Sequence, residues 1–206
     1  MRYILFIAIL FCNSFYAKAQ TQLVEKLKER YNIKNGYETM VNISIDVPGL
    51  TVPPKDLGIK CEKGKKPQIK GKGILLIPKK GLTNQFSELL SNQAHWIFLS
   101  ENGGFVNYKL VSMDSKSDWV TADIKILKEQ SRIDEVNLIT KDSGEYLIKH
   151  SYASGNYPSE TEISFWTSRL NIPLKFLGKS SVDKVKDKDG KIKGKIFLKF
   201  TGFHFL

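Results

Sequence analysis

Lys191-Ile192-Lys193-Gly194-Lys195-Ile196-Phe197-Leu198-Lys199-Phe200 decides the fold class of this chain. Ile192, Gly194, Ile196, Leu198 and Phe200 share one side, and Lys191, Lys193, Lys195, Phe197 and Lys199 share the other. A period of two describes a β-strand with one apolar and one wet face. A slip of one residue would bury four lysines, so the register is firmly set. Just upstream, Asp187-Lys188-Asp189-Gly190 offers an Asp-Gly turn that favours a tight hairpin into this strand.

The same alternation recurs upstream. Val41-Asn42-Ile43-Ser44-Ile45-Asp46-Val47 reads as a strand that Pro48-Gly49 stops. Further strands are expected near Leu57 to Glu62, Ile69 to Ile77, His95 to Ser100, Phe105 to Met113 and Trp119 to Leu127. Others follow near Ile133 to Thr140, Glu145 to Ser151, Glu160 to Thr167 and Ile172 to Gly178. Two stretches instead carry helical spacing: Leu23, Val24, Leu27 and Tyr31, then Leu82, Phe86, Leu89 and Leu90. The fold class is therefore α+β and mainly β, with about ten antiparallel strands and two or three helices. So many strands in one sheet tend to curl or to split into two packed sheets.

Residues 1–19 have the three parts of a secretory signal: Arg2, the apolar run Ile4 to Cys12, and the small-x-small site Ala17-Lys18-Ala19. The run is about half of the ~20 residues that a membrane-spanning helix needs. A single domain over residues 20–206 is expected, exported and free of an anchor, with periplasmic localisation. Removing 19 of the 206 residues leaves 187, and the loss of Arg2 and Lys18 lowers the net charge from +11 to +9. Outside the cytoplasm such a charge fits anionic lipid or an acidic protein surface rather than nucleic acid.

No catalytic constellation is present. His95, His150 and His204 have no metal-ligand spacing, and Cys61 stays alone after cleavage. Asp187-Lys188-Asp189-Gly190 opens like a calcium loop, but its glycine comes too early and no glutamate closes it. Glu160 and Glu162 share a strand face with nothing to desolvate them. A non-enzyme is expected, with no catalytic residue, no metal site and no cofactor. Two lysine clusters stand out, at residues 60–72 and 184–199. On edge strands they would discourage aggregation, and as a surface they would dock an anionic membrane or acidic partner. Trp96, Phe98, Phe105, Trp119, Phe165 and Trp166 all fall on expected strands. They could line a cavity for an apolar ligand or fill a solid core; composition does not separate the two.

An export signal and an amphipathic helix come first. They are followed by Ile45-Asp46-Val47-Pro48-Gly49-Leu50, the segment Lys70-Gly71-Lys72-Gly73-Ile74-Leu75-Leu76-Ile77-Pro78-Lys79-Lys80-Gly81, and the Asp187-to-Lys191 hairpin. This order resembles the LolA-like, outer-membrane lipoprotein-sorting family of envelope proteins. The resemblance implies a curved antiparallel sheet forming an incomplete barrel, with helices covering its concave side. It implies a carrier or chaperone for lipid or lipoprotein acyl chains, with inner-membrane release machinery or an outer-membrane acceptor as partner. On that scaffold Val41, Ile43, Ile45, Ile74, Leu76, Trp96, Phe98, Ile124 and Phe165 would line the cavity. Leu23, Leu27, Phe86, Leu89 and Leu90 would form the lid. The lid-holding arginine that the resemblance implies has no counterpart in Glu62-Lys63-Gly64-Lys65-Lys66-Pro67-Gln68; after cleavage the arginines are Arg30, Arg132 and Arg169. The alternative is an envelope binding module or stress-sensing regulator acting through a basic surface.

Overall fold

The structure is a computed structural model that describes residues 21–31, 36–62, 68–71, 89–90, 93–142, 144–167 and 188–206. The expected signal segment, the strand near Ile172 to Gly178, and Ile74, Leu76 and Phe86 lie outside the described residues. Among those described there is one helix, α1 (21–31), and Leu89 and Leu90 sit in a turn.

Ten strands follow: β1 (Gly36–Asp46), β2 (Lys55–Glu62), β3 (Gln68–Lys70), β4 (Ala94–Asn102) and β5 (Phe105–Ser112). Then come β6 (Trp119–Leu127), β7 (Arg132–Thr140), β8 (Glu145–Ser151), β9 (Glu160–Thr167) and β10 (Ile192–Phe205). They form one antiparallel sheet in the order β3-β2-β1-β10-β9-β8-β7-β6-β5-β4. β4 to β9 form a meander, and β10 passes between β9 and β1 to join it to the N-terminal strands. The sheet is open, with β3 and β4 at its two edges among the described residues.

The alternation in β10 is realised residue by residue. Ile192, Ile196 and Leu198 are buried, while Lys193, Lys195, Phe197 and Lys199 are exposed. Register carries this apolar side across the sheet: Ile196 lies opposite Ile45 and Ile163, Ile163 opposite Ile148, and Ile148 opposite Val136. One face of the sheet is therefore apolar along its whole width. Gly194 makes room on that face, since a Cβ there would lie 2.6 Å from the Phe165 ring and 2.5 Å from Val47. The Phe165 side chain crosses β10 through that gap.

The opposite face is a lattice of ion pairs. Lys195 meets Glu162 at 2.8 Å, Lys125 meets Asp134 at 3.1 Å, and Lys199 and Lys149 meet Glu160 and Glu135. Each such pair contributes about 0–1 kcal/mol, because water screens it. Their main effect is to fix which side of the sheet stays wet.

The lysines of β10 do not guard an edge. From Lys195 to Lys199 both edges of β10 are taken, by β1 and by β9. Residues 188–190 do form a turn, yet the strand it leads into pairs with β9 and β1.

Candidate ligand-binding site

α1 forms because Leu23, Leu27 and Tyr31 fall on one stripe, while Glu25 and Lys28 pair across one turn of its wet side at 3.2 Å. The stripe packs with Leu89 and Leu90 onto β5, β6 and β7, where Leu110, Ala122, Ile124 and Ile126 are all at most 1 % exposed. Beyond that patch the apolar face continues as a second cluster on β1, β2, β9 and β10. Val41, Ile43, Leu57, Phe165 and Leu198 belong to it. Ile148 on β8 packs against both clusters.

The C-terminal end of α1 is tied to the sheet by a closed ring of hydrogen bonds. The Tyr152 hydroxyl donates to the Ile133 carbonyl at 2.7 Å, so the Tyr31 hydroxyl, 2.9 Å away, donates to Tyr152. The Ile133 amide completes the ring by donating to Tyr31 at 3.2 Å. Burial raises the pKa of both phenols, which keeps both protons in place. The Arg132 guanidinium lies over the Tyr152 ring, 4.9 Å from its centroid, and Arg30 donates to Asn156 at 2.8 Å. Tyr31→Phe leaves the Ile133 amide and the Tyr152 hydroxyl each short of a partner. We expect a loss of about 1–3 kcal/mol in urea unfolding, and an unchanged midpoint would show that the ring does not hold the helix.

Next to this anchor, Tyr157 stacks on Phe203 at 5.4 Å and on Tyr37 at 6.4 Å, and meets Tyr31 edge-on at 6.0 Å. These rings join the end of α1 to the start of β1 and the end of β10. Between the two apolar clusters sits His150, only 6 % exposed, with Nδ1 3.0 Å from the Thr161 hydroxyl. Burial pushes its pKa down to about 3, so the imidazole is neutral at physiological pH.

The expected site residues fall into both clusters. Leu23, Leu27, Leu89 and Leu90 are in the helix-covered cluster together with Ile124, and Trp96 packs against it. Val41, Ile43 and Phe165 are in the other, with Ile45 packed against it. Phe98 shares the apolar face through its pairing with Tyr108, yet is 39 % exposed. The Tyr31–Tyr152 ring was not anticipated from sequence. Tyr31 is more than a hundred residues from Ile133 and Tyr152, and no local pattern links it to them.

A groove of about 330 Å³ on the wet face is lined by Glu38, Met40, Gly58, Lys60, Lys70 and His204. Its charges answer one another. Lys60 bridges Glu38 at 2.8 Å and Glu62 at 3.1 Å, lowering the Glu38 pKa while its own rises. Cys61 is half-buried on β2, and burial raises its thiol pKa, so it is a poor nucleophile. Among the described residues no helix is long and apolar enough to cross a membrane.

This open antiparallel sheet, with one greasy face and a helix seated on part of it, is similar in fold to solved structures. Two solved structures carry the comparison. A LolA superfamily protein from Nitrosomonas europaea superposes with a TM-score of 0.57 at 8% identity, covering 90% of this chain and 93% of its own. A domain described as an outer membrane lipoprotein-sorting protein from Vibrio parahaemolyticus gives a TM-score of 0.51 at 8% identity, covering 91% and 93%. At such identity the likeness is one of fold. The sequence matches no family model and no curated protein.

Proposed function

We propose that this chain is exported and, after loss of residues 1–19, works in the periplasm as a non-enzymatic carrier or chaperone. Its cargo would be the acyl chains of lipids or lipoproteins, in the service of outer-membrane lipoprotein sorting. The observation that carries this reading is the reach of the apolar face. α1 packs on β5 to β7, whereas the face runs on through β9, β10, β1 and β2. A bend in the sheet would make this a half-barrel, lined by Val41, Ile43, Ile45, Trp96, Phe98, Ile124 and Phe165, with Ile74 and Leu76 completing it. Leu23, Leu27, Leu89 and Leu90, with Phe86, would form the cover.

The energetics suit such a task. Each buried methylene contributes ~0.8 kcal/mol, so acylated cargo cannot leave a membrane unescorted at a useful rate. A shielding face needs no chemistry. The alternative, a module acting through a basic surface, draws less support, because Lys60, Lys195 and Lys199 are engaged with Glu38, Glu162 and Glu160. Native mass spectrometry of the chain purified from a bacterial envelope should show bound lipid, and a fluorescent fatty acid should be displaced by it. A clean apo mass with no fatty-acid binding would overturn the carrier reading.

A further inference from the structure

Arginine is scarce in this chain: of its 32 lysines and arginines, Arg2, Arg30, Arg132 and Arg169 alone are arginine. The fold brings two of them together. Arg30, at the end of α1, donates to Asn156 Oδ1 at 2.8 Å, and Arg132, at the start of β7, donates through Nη2 to the carbonyl of Gly155 next to it. Both charges act on the same two phenols, Tyr31 and Tyr152, whose hydroxyls are 2.9 Å apart. Neither arginine meets a carboxylate. Every ion pair among the described residues is made by a lysine, and the acceptors of the two guanidinium groups, Asn156, Gly155 and Gln130, are neutral. Arg132 Nε is also buried with no partner. Like charges held close are unfavourable, and so is a buried cationic N–H that bonds to nothing. An anion beside the pair would answer the repulsion and supply the missing acceptor.

We infer that Arg30 and Arg132 hold the phosphate of a glycerophospholipid whose chains lie on the apolar face. This rests on the carrier reading and deepens it, choosing a phosphate-bearing lipid over acyl chains borne by a protein. The planar guanidinium fork matches phosphate as lysine does not. The oxygens of a tetrahedral phosphate diverge, so each can face a different guanidinium, whereas those of a carboxylate lie in one plane and fill a single fork. Both arginines are partly exposed and open to a ligand. Their position suits a headgroup. Tyr31 belongs to the cluster under α1, and Tyr157 joins it to Tyr37 of the second cluster. A phosphate held there stands at the rim of the apolar face, where both clusters meet.

Calorimetric titration of the purified chain with dioctanoyl phosphatidylglycerol and with dioctanoylglycerol compares the same chains with and without the phosphate. The phosphate lipid should bind about tenfold more tightly or better. Arg30→Gln and Arg132→Gln should each cut that ratio to about threefold or less and leave dioctanoylglycerol binding unchanged. Arg132 also braces Gly155, so Arg30→Gln carries the test should Arg132→Gln fail to fold. Lys195→Gln removes the same charge from the opposite face and should keep the ratio. Equal binding of the two lipids, or a ratio that the arginine variants keep, would overturn the inference and leave the carrier reading standing. Binding of neither lipid would overturn both. Inorganic phosphate bound as tightly as the lipid would show a site for the free anion and overturn the lipid assignment.

Discussion

Acidification from pH 7 to pH 4 is expected to remove roughly 3 kcal/mol of stability through His150 alone. The unfolded imidazole titrates near 6.5, and the buried one near 3. Between those values the unfolded chain binds a proton that the folded chain refuses, so stability falls as pH drops through that window. It is complete above pH 6.5 and levels off below about 3. Carboxylates such as Glu38, held low by Lys60, add their own loss at the acid end. Urea midpoints at pH 7 and pH 4, compared with those of His150→Gln, isolate the histidine. The variant keeps a hydrogen-bonding group beside Thr161 but cannot charge, so its slope between pH 6.5 and 4.5 should flatten. Equal slopes in the two proteins would show that His150 is hydrated or charged in the fold.

Leu27→Ala should cost about 2–5 kcal/mol, the range for emptying a fully buried leucine site. Leu27 is 0% exposed and central to the stripe that seats α1 on the sheet. Truncation leaves a void above Ile124 and Leu110 that the helix can close only by shifting, and the Tyr31–Tyr152 ring limits that shift. Thermal unfolding followed by circular dichroism reads the effect directly. A loss under 1 kcal/mol would mean that the helix rests loosely on the sheet.

The strands were legible because one side of the sheet is wet. Polar and charged residues such as Asn42, Ser44, Asp123, Lys125, Glu162 and Lys195 alternate with apolar ones on β1, β6, β9 and β10, and a period of two survives any uncertainty in their ends. Trp119–Leu127, Glu145–Ser151 and Glu160–Thr167 begin and end where the pattern places them. The position of β10 was not legible. Alternation marks an interior strand and an edge strand alike when one face is solvated, and its lysines suggested an edge. Only pairing with Glu160 and Glu162 of β9 and with β1 shows it to be central. The apolar members of the site could be listed from sequence for the same reason that strands could. Their division into two clusters depends on where a short helix lands, and three residues (Leu23, Leu27 and Tyr31) cannot encode that.

The passage of β10 between β9 and β1 sets a timetable for folding. The meander from β4 to β9 can zip up hairpin by hairpin as it emerges, but β1 and β2 have no bond to it until residues 192–205 arrive. The N-terminal hairpin must therefore wait, greasy side bare, for almost the entire polypeptide to become available. Such long-range closure is slow by nature, and it leaves an interval in which a holdase would have something to hold.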